Sequence, residues 1–248
     1  MPTTYTHAHR FDATGDQGLA AANALYNNLA ALSVGLLLRY DNTADGYLWS
    51  KGDSSAGLAA VSIGNDGRAD FRAERATGAG FFRESAITVD NIWRWIFFTF
   101  NRTAVTTTRL LGPKGGTLTS VTPSDGGGGS GLVAADAAYP FTIGSNGLNP
   151  AIRNAEFAFA GFWNVQLTLA QAQAIADDLS TALQPIAAWK PDAGSAASIA
   201  NYIIADPVLP AMTMTGTTLV GGPDSSGGAL SAAALRQRRR MACSSSFF

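Results

Sequence analysis

Carboxylate side chains could do hydrolytic chemistry in this chain if two of them lay close together, as hydrolysis of a glycosidic bond requires. A retaining hydrolase holds its two carboxyl groups about 5–5.5 Å apart, and acids two residues apart on one face of a strand can satisfy that distance. The chain has three glutamates, Glu74, Glu84 and Glu156, and none has an acidic residue two positions away. Asp70 and Glu74 share a strand face if extended, but at i, i+4 they are too far apart. We therefore expect a solvated charged strand face there and no catalytic residues.

One acidic segment has the start of a calcium-binding pattern. Asp41, Thr43 and Asp45 place oxygen-bearing side chains at positions 1, 3 and 5, and Gly46 stands at position 6. Position 12 is Gly52 instead of the bidentate glutamate that completes such a loop. A turn between two strands explains the same residues. We therefore expect no cofactor, with calcium at Asp41 and Asp45 as the alternative.

Histidine and cysteine chemistry has little support. His7 and His9 would lie on one face of an extended segment, with no cysteine or third histidine nearby. Neither can be placed beside a serine to make a catalytic triad. The single cysteine, Cys243, excludes an intrachain disulfide. The histidines are interpreted as a surface strand or a chance pair.

The segment Ile92–Phe100 is the strongest strand and is apolar on both faces. Trp93, Trp95 and Phe97 alternate on one face, and other large apolar side chains lie on the opposite face. An exposed sandwich strand is usually polar on one side. Core packing under the rest of the chain or a neighbouring subunit is the first interpretation. The alternative is glycan or partner contact through Trp93 and Trp95.

The elements around these residues indicate an all-β protein. Short apolar segments broken by turns fill residues 33–166, as in a β-sandwich. The expected strands are 33–40, 46–51, 59–63, 69–73, 92–100, 105–111, 117–121, 141–144 and 158–167. The Asn65-Asp66-Gly67 turn predicts that the third and fourth of these form a hairpin.

One helix is predicted directly after the last strand. Thr168 and Gln171 form a capping-box pattern, and apolar residues then recur at helical spacing. The pattern predicts a helix over Leu169–Gln184 that ends at Pro185 and packs on the sandwich. A second, less regular pattern over Leu19–Ala31 predicts a short helix within that segment.

The charge balance excludes some partners. Only 14% of the 248 residues are charged and the formal net charge is −1, against about 25% charged residues in ordinary soluble domains. We expect no nucleic-acid or membrane partner, because there is no global basic field and no apolar run near the ~20 residues needed to span a bilayer. The polar start, Met1–His7, predicts no secretory signal. The low charge favours a surface covered by neighbours in an assembly, and the alternative is a monomer with a neutral surface.

Beyond Trp189 the composition changes. Prolines, glycines and serines interrupt short apolar pieces, so residues 190–248 are expected to form an irregular extension that lies on the sandwich or on a partner. A basic cluster near its end comprises Arg236, Arg238, Arg239 and Arg240. No aromatic residues interleave with it, so we expect it to pair with acidic groups of a partner, as an assembly anchor, or to be a solvated tail.

Several short motifs occur in an order that is typical of one fold family. They are Phe11-Asp12-Ala13, the strand 33–38, Ser50-Lys51-Gly52, Asp66-Gly67, the Trp93–Asn101 strand, Ile143-Gly144 and the Gly161 strand followed by the capped helix. Together they resemble the laminin-G-like subgroup of concanavalin A-like jelly rolls over about residues 10–180. The resemblance implies an antiparallel jelly-roll β-sandwich with one short packed helix over 1–189 and an extension over 190–248. The glycine hairpin usual after the tryptophan strand is matched imperfectly by residues 109–115.

The resemblance also implies binding rather than catalysis. Sandwiches of this type resemble those on bacteriophage virions, where they decorate capsids or sit in tail fibres and baseplates, often contacting host glycans. We therefore expect a non-enzymatic virion structural protein, made in the host cytoplasm, that is oligomeric or part of a larger assembly with other virion proteins. The alternatives are a carbohydrate-active enzyme of the glucanase or lyase jelly-roll type and a stand-alone lectin. Loops 41–46, 76–80 and 124–131 are expected to face outward.

Overall fold

Two antiparallel β-sheets, packed face to face, make up most of the molecule. The computed structural model describes residues 3–13, 15–40, 46–52, 57–62, 68–86, 91–102, 106–121, 124–125, 130–133, 135–144, 155–192, 197–199 and 210–225. In chain order the strands are β1 (His7–Phe11), β2 (Gln17–Ala20), β3 (Ala31–Tyr40), β4 (Gly46–Gly52), β5 (Gly57–Ser62), β6 (Arg68–Ala86), β7 (Arg94–Asn101), β8 (Thr106–Pro113), β9 (Thr119–Val121), β10 (Ser124–Asp125), β11 (Ser130–Val133), β12 (Phe141–Gly144), β13 (Ala155–Trp163), β14 (Ala187–Trp189), β15 (Ser198–Ile199), β16 (Met212–Thr215) and β17 (Thr218–Gly221).

The two sheets interleave strands from both ends of the chain. The first sheet has the order β17-β1-β13-β3-β7-β8-β9, and β14 also pairs with β13. The second sheet has the order β10-β6-β5-β4-β12-β2-β16-β15, and β11 also pairs with β6. All of the recorded pairings are antiparallel, which confirms the predicted all-β sandwich class.

The sequence located most strands but not all of their bounds. The strand over 141–144 is confirmed with its predicted limits, and β5 pairs with β6 as the predicted hairpin requires. The prediction that 76–80 is an outward loop is wrong, because β6 runs without a break from Arg68 to Ala86. Residues 41–45 and 126–129 of the other two predicted loops lie outside the described residues.

The helix α1 (Leu169–Asp177) begins where predicted and ends earlier. Thr168 caps it, and the reciprocal bonds with Gln171 form the predicted capping box. It ends at Asp178, whose carboxylate accepts hydrogen bonds from the backbone N–H and hydroxyl of Ser180 and so favours a turn over a further helical turn. The pattern over 19–31 yields one 3₁₀ turn, Ala24–Tyr26. Within the described ranges, no helix is long and apolar enough to cross a membrane.

Apolar side chains cover both faces of the first sheet. Between the sheets, Ile96, Phe98 and Phe100 of β7 join the main core. On the outer face, which is turned away from the second sheet, Trp95 and Phe97 pack in a second cluster that includes Tyr5, Ile175 of α1 and Leu179 just after the helix. The chain itself therefore covers both faces of β7, and core packing is the correct interpretation of this strand.

Paired glycines make room for the rings of the outer cluster. Gly35 of β3 and Gly161 of β13 lie opposite each other in the sheet. A Cβ atom at Gly35 would lie 2.6 Å from a ring carbon of Phe97, and one at Gly161 would lie 2.7 Å from a ring carbon of Trp163. Side chains at these positions would occupy the space that the rings fill, which explains the glycine in the predicted closing strand.

The C-terminal segment completes both sheets. β16 pairs with β2 in the second sheet, and β17 pairs with β1 in the first. Gly216, at φ +74°, lies in the connection that crosses between them. Met212 and Met214 are buried in the core between the sheets. Residues 210–225, which belong to the predicted extension, thus lie on the sandwich and add strands to both sheets; we call them the C-terminal arch.

Candidate functional site

An uncharged groove lies on the outer face of the first sheet, beside the start of α1. Its volume is about 290 Å³. It is lined by Thr99, Thr108, Leu110, Ser120, Gln166, Leu167, Thr168 and Leu169. Thr99 lies opposite Thr108, and Leu110 lies opposite Ser120, so three adjacent strands each supply one hydroxyl group. We call this site the hydroxyl groove.

Thr99 gives the hydroxyl groove a polar group that still lacks a bond. Thr99 is 0% exposed, and within the described structure its Oγ1 atom has no hydrogen-bond partner. Leaving a buried hydroxyl unpaired costs on the order of 1–3 kcal/mol. The hydroxyl groups that a ligand in the groove can meet are those of Thr108 and Ser120, which are more exposed, and Leu169 offers apolar surface beside them.

The wall next to the helix is held in place by hydrogen bonds. The Ser33 hydroxyl donates to the carbonyl oxygen of Val165 at 2.9 Å and accepts from the backbone N–H of Leu167 at 3.0 Å. The backbone N–H of Thr168 donates to Gln171 Oε1 at 2.9 Å. These contacts fix the segment that borders the groove before any ligand binds.

A row of charged side chains lies elsewhere on the outer face. Glu156 of β13 stands between Arg10 of β1 and Arg39 of β3 in the sheet register. Arg10 donates from Nε (3.0 Å) and a terminal nitrogen (2.5 Å) to Oε1, and Arg39 donates from Nε (2.8 Å) and a terminal nitrogen to Oε2. Both carboxylate oxygens are thus occupied, so Glu156 is poorly placed to donate a proton to a substrate.

The two tryptophans that were alternatives for glycan contact do not form an exposed platform. Trp95 is 0% exposed and stacks on Phe97 with ring centroids 5.4 Å apart, so the glycan-contact alternative is wrong for this residue. Trp93 is half-buried, and the Arg39 guanidinium lies over its ring, 5.3 Å from the centroid. That face of Trp93 is therefore occupied by the protein.

A polar cleft of about 280 Å³ lies where the N-terminal segment meets the end of α1 and the turn after β8. Asp224 accepts from Lys114 Nζ at 2.7 Å and from the backbone N–H of Tyr5 at 2.8 Å. Asp177 accepts from Gln173 Nε2 at 2.8 Å. The side-chain hydrogen bond from Ser180 lowers the pKa of Asp178 below its ordinary value. Asp224 therefore holds distant chain segments together at the cleft, while Asp177 and Asp178 make local contacts.

The structure does not bring the remaining predicted site residues together in one site. Asp41 and Asp45, and the basic cluster Arg236, Arg238, Arg239 and Arg240, lie outside the described residues. His9 is buried, with Nδ1 2.9 Å from Thr217 Oγ1, and His7 lies beside Thr6. In the described part of the chain, no three His, Cys, Asp or Glu side chains are grouped so that they could hold a metal ion.

Sequence reasoning missed the hydroxyl groove. The signal available was alternation: Thr99 continues the face that carries Trp95 and Phe97, and Thr108 lies in a run of three threonines. These two hydroxyl groups lie near Ser120 and the start of the helix because of how the strands pair. Alternation within one strand does not reveal which strands pair.

The comparisons with known proteins bear on the fold. No protein-family model matches the chain, and a search of curated proteins finds no match. A structure from Bacteroides ovatus ATCC 8483, named for carbohydrate binding, is similar at 14% identity and a TM-score of 0.62, over 89% of this chain and 61% of the other. This chain therefore spans about three fifths of that structure's length.

Two further structures are similar. A heptameric SAP-like pentraxin from Limulus polyphemus matches at 12% identity with a TM-score of 0.50, over 88% of this chain and 95% of the other. Domains LG4-5 of the mouse laminin α1 chain match at 15% identity with a TM-score of 0.46, over 74% of this chain and 46% of the other. With the sheet order above, the first two matches establish that the chain has the jelly-roll fold of the concanavalin A-like lectins.

Proposed function

We propose that this protein is a non-enzymatic, lectin-like binding module that takes a neutral saccharide unit into the hydroxyl groove. The observation that carries the proposal is an uncharged groove that presents the more exposed hydroxyl groups of Thr108 and Ser120 beside the exposed apolar side chain of Leu169. Sites for neutral polar ligands combine apolar surface with a few fixed polar groups, and this groove has both. The similarity to the Bacteroides ovatus structure supports the same class of ligand.

The hydrogen bonds of Glu156 support binding over hydrolysis. Both of its oxygens already accept hydrogen bonds from arginine side chains, which leaves them poorly placed to contact a substrate. No acidic residue stands two positions from any of the three glutamates, so the strand-borne carboxylate pair of a retaining glycosidase is missing from the sequence.

The finer proposal is that the module is a structural component of a bacteriophage virion, as capsid decoration or in a tail fibre or baseplate. The low charged fraction and the single cysteine support it. Residues 226–248, with their basic cluster, would attach the module to other virion proteins. Mass spectrometry of purified particles tests this directly: the protein should be present at stoichiometric copy number, and its absence from particles would contradict the proposal.

Glycan binding is tested with a glycan panel and two matched variants. Thr108→Val removes a groove hydroxyl at nearly constant volume and should weaken binding about tenfold, because a hydrogen bond of about 1–1.5 kcal/mol is lost. Thr107→Val is the control: Thr107 is the neighbouring threonine on β8, but it does not line the groove. The control should bind like the wild type. Absence of wild-type binding to every glycan, or equal losses in both variants, would contradict the proposal.

A further inference from the structure

A lysine is buried between the sheets beside an asparagine amide and a carboxylate. Lys51 of β4 lies two residues beyond the core residue Trp49, on the same strand face, and its side chain is 0% exposed. Its Nζ donates to Oδ1 of Asn27 at 2.8 Å and to the backbone carbonyl oxygens of Asp136 at 2.8 Å and Tyr139 at 3.1 Å. Asp136 Oδ1 lies 3.7 Å from the same nitrogen.

The carboxylate is held firmly in this position. Asp136 is 0% exposed, and its Oδ1 accepts from the backbone N–H of Asn28 at 2.6 Å. Its Oδ2 accepts from a terminal nitrogen of Arg102 at 2.6 Å, and its own N–H donates to Asn28 Oδ1 at 2.8 Å. The turn that carries Asn27 is thus tied to the carboxylate, and Asn28 adopts φ +51° within it.

These groups are the reactants of an amide exchange. Burial lowers the pKa of Lys51, against the opposing effect of the Asp136 charge, so the nucleophilic neutral amine is easier to reach than in an exposed lysine. The hydrogen bond to Oδ1 holds Nζ near the side-chain carbonyl carbon of Asn27. Because the two groups are already held together, the reaction does not include the entropy cost of bringing them together. The Asp136 carboxylate pairs with the lysine, its Oδ1 lying 3.7 Å from Nζ, and is therefore the group assigned to take a proton from it.

We propose that Lys51 and Asn27 join in an intramolecular isopeptide bond, with Asp136 as the proton carrier. Asp136 takes a proton from the Lys51 ammonium, and the freed lone pair of Nζ forms a bond to Cγ of Asn27. The Cγ–Nδ2 bond then breaks, and Nδ2 leaves as ammonia after it receives a proton through Asp136. The second proton lost by Nζ leaves with the ammonia as ammonium, so the carboxylate is regenerated and no oxidant or cofactor is consumed.

The product links β4 covalently to the turn before β3. Forming the secondary amide would move Nζ from its hydrogen-bond position at Oδ1 to bonding distance of Cγ, a movement that the end of the Lys51 side chain would have to make. Asn27 and Lys51 are 24 residues apart in the chain. The link would close that segment into a ring and restrict the unfolded chain as a disulfide does, in a sequence whose one cysteine permits no intrachain disulfide.

The intact mass of the purified full-length protein tests the proposal. The wild type should be lighter than its sequence mass by one ammonia molecule. Trypsin should fail to cleave after Lys51, and tandem mass spectrometry should find one branched peptide that contains both residues. Asn23→Ala, which alters another asparagine beside the same 3₁₀ turn, should keep the mass loss. Lys51→Met and Asn27→Ala should have their full sequence masses, and Asp136→Asn should slow or abolish the reaction.

The mass and the tryptic peptides of the wild-type protein test the proposal even if a variant folds poorly. A wild type at its full sequence mass, with normal tryptic cleavage after Lys51, would overturn the proposal. So would loss of ammonia that maps to a linear peptide, since a cyclised asparagine gives the same mass without joining Lys51.

Discussion

Glu156 illustrates how two neighbouring strands of a sheet can pair with a buried carboxylate from both sides. Its side chain is 5% exposed, while those of Arg10 and Arg39 are 44% and 21% exposed. The two arginines reach it from neighbouring strands, so the geometry of the sheet, and not a local loop, sets the pairing. Arg39 also covers Trp93, and therefore contributes apolar contact as well as charge.

Removing the two arginines should have unequal effects. Arg39→Ala leaves one side of a buried carboxylate without its partner and uncovers Trp93, so it should lower the free energy of unfolding by about 3 kcal/mol. Arg10→Ala removes a much more exposed partner and should cost about 1 kcal/mol or less. Urea denaturation of both variants measures the difference. Equal losses would show that exposure does not govern the two contacts.

The sequence predicted the chemistry of single residues in part. The alternation in 92–100 correctly indicated a strand covered on both faces, because large apolar side chains there would otherwise meet water. It could not distinguish Trp95, which the helix and Tyr5 cover, from Trp93, which is half-buried beneath a guanidinium. That distinction depends on Tyr5 and Arg39, which lie far from β7 in the sequence.

Among the elements, the paired glycines of β3 and β13 determine how closely the aromatic cluster lies against the sheet. Gly35→Ala should lower the free energy of unfolding by about 1–3 kcal/mol, because the new methyl group would overlap the Phe97 ring in a filled core. Denaturant unfolding measures the loss. The double variant Gly35→Ala/Phe97→Leu should recover part of it, and a purely additive double variant would contradict a direct clash.

Element starts were more predictable than element ends. Thr168 and Gln171 are local signals, and the helix begins where they place it. Its end depends on Asp178 and Ser180, whose side-chain hydrogen bonds favour a turn before the apolar periodicity is exhausted. The length of β6 depends on three partners, β5, β10 and β11, which a sequence pattern within 68–86 does not reveal.

For the whole molecule, the C-terminal arch is part of the folded unit. A chain ending at Pro210 would lose β16 and β17 and expose the edges of β1 and β2, together with the core face that Met212 and Met214 cover. It should aggregate or unfold at much lower denaturant concentration. A chain ending at Ser225 keeps both strands and should unfold like the full-length protein. Circular dichroism and size-exclusion chromatography compare the two; equal stability would show that the arch is dispensable.

The arch was the least predictable part of the fold. β16 and β17 contain four residues each, and they lie among prolines and glycines that indicate a loop. Such short strands become stable only when they add to existing sheet edges, here those of β1 and β2. Their formation depends on contacts with residues about 200 positions away, which local patterns cannot indicate.

The arch also determines how the module would respond to mechanical force. Gly222 donates its N–H to the carbonyl oxygen of Thr6 at 2.9 Å, and Asp224 donates to that of Tyr5 at 3.0 Å, so the chain enters and leaves at the same end of the β1–β17 pair. Tension applied through the two ends would therefore peel these strands apart one hydrogen bond at a time, and would not load the whole pair in shear. The sandwich should open first at this edge, under a low force, while the opposite strands remain paired.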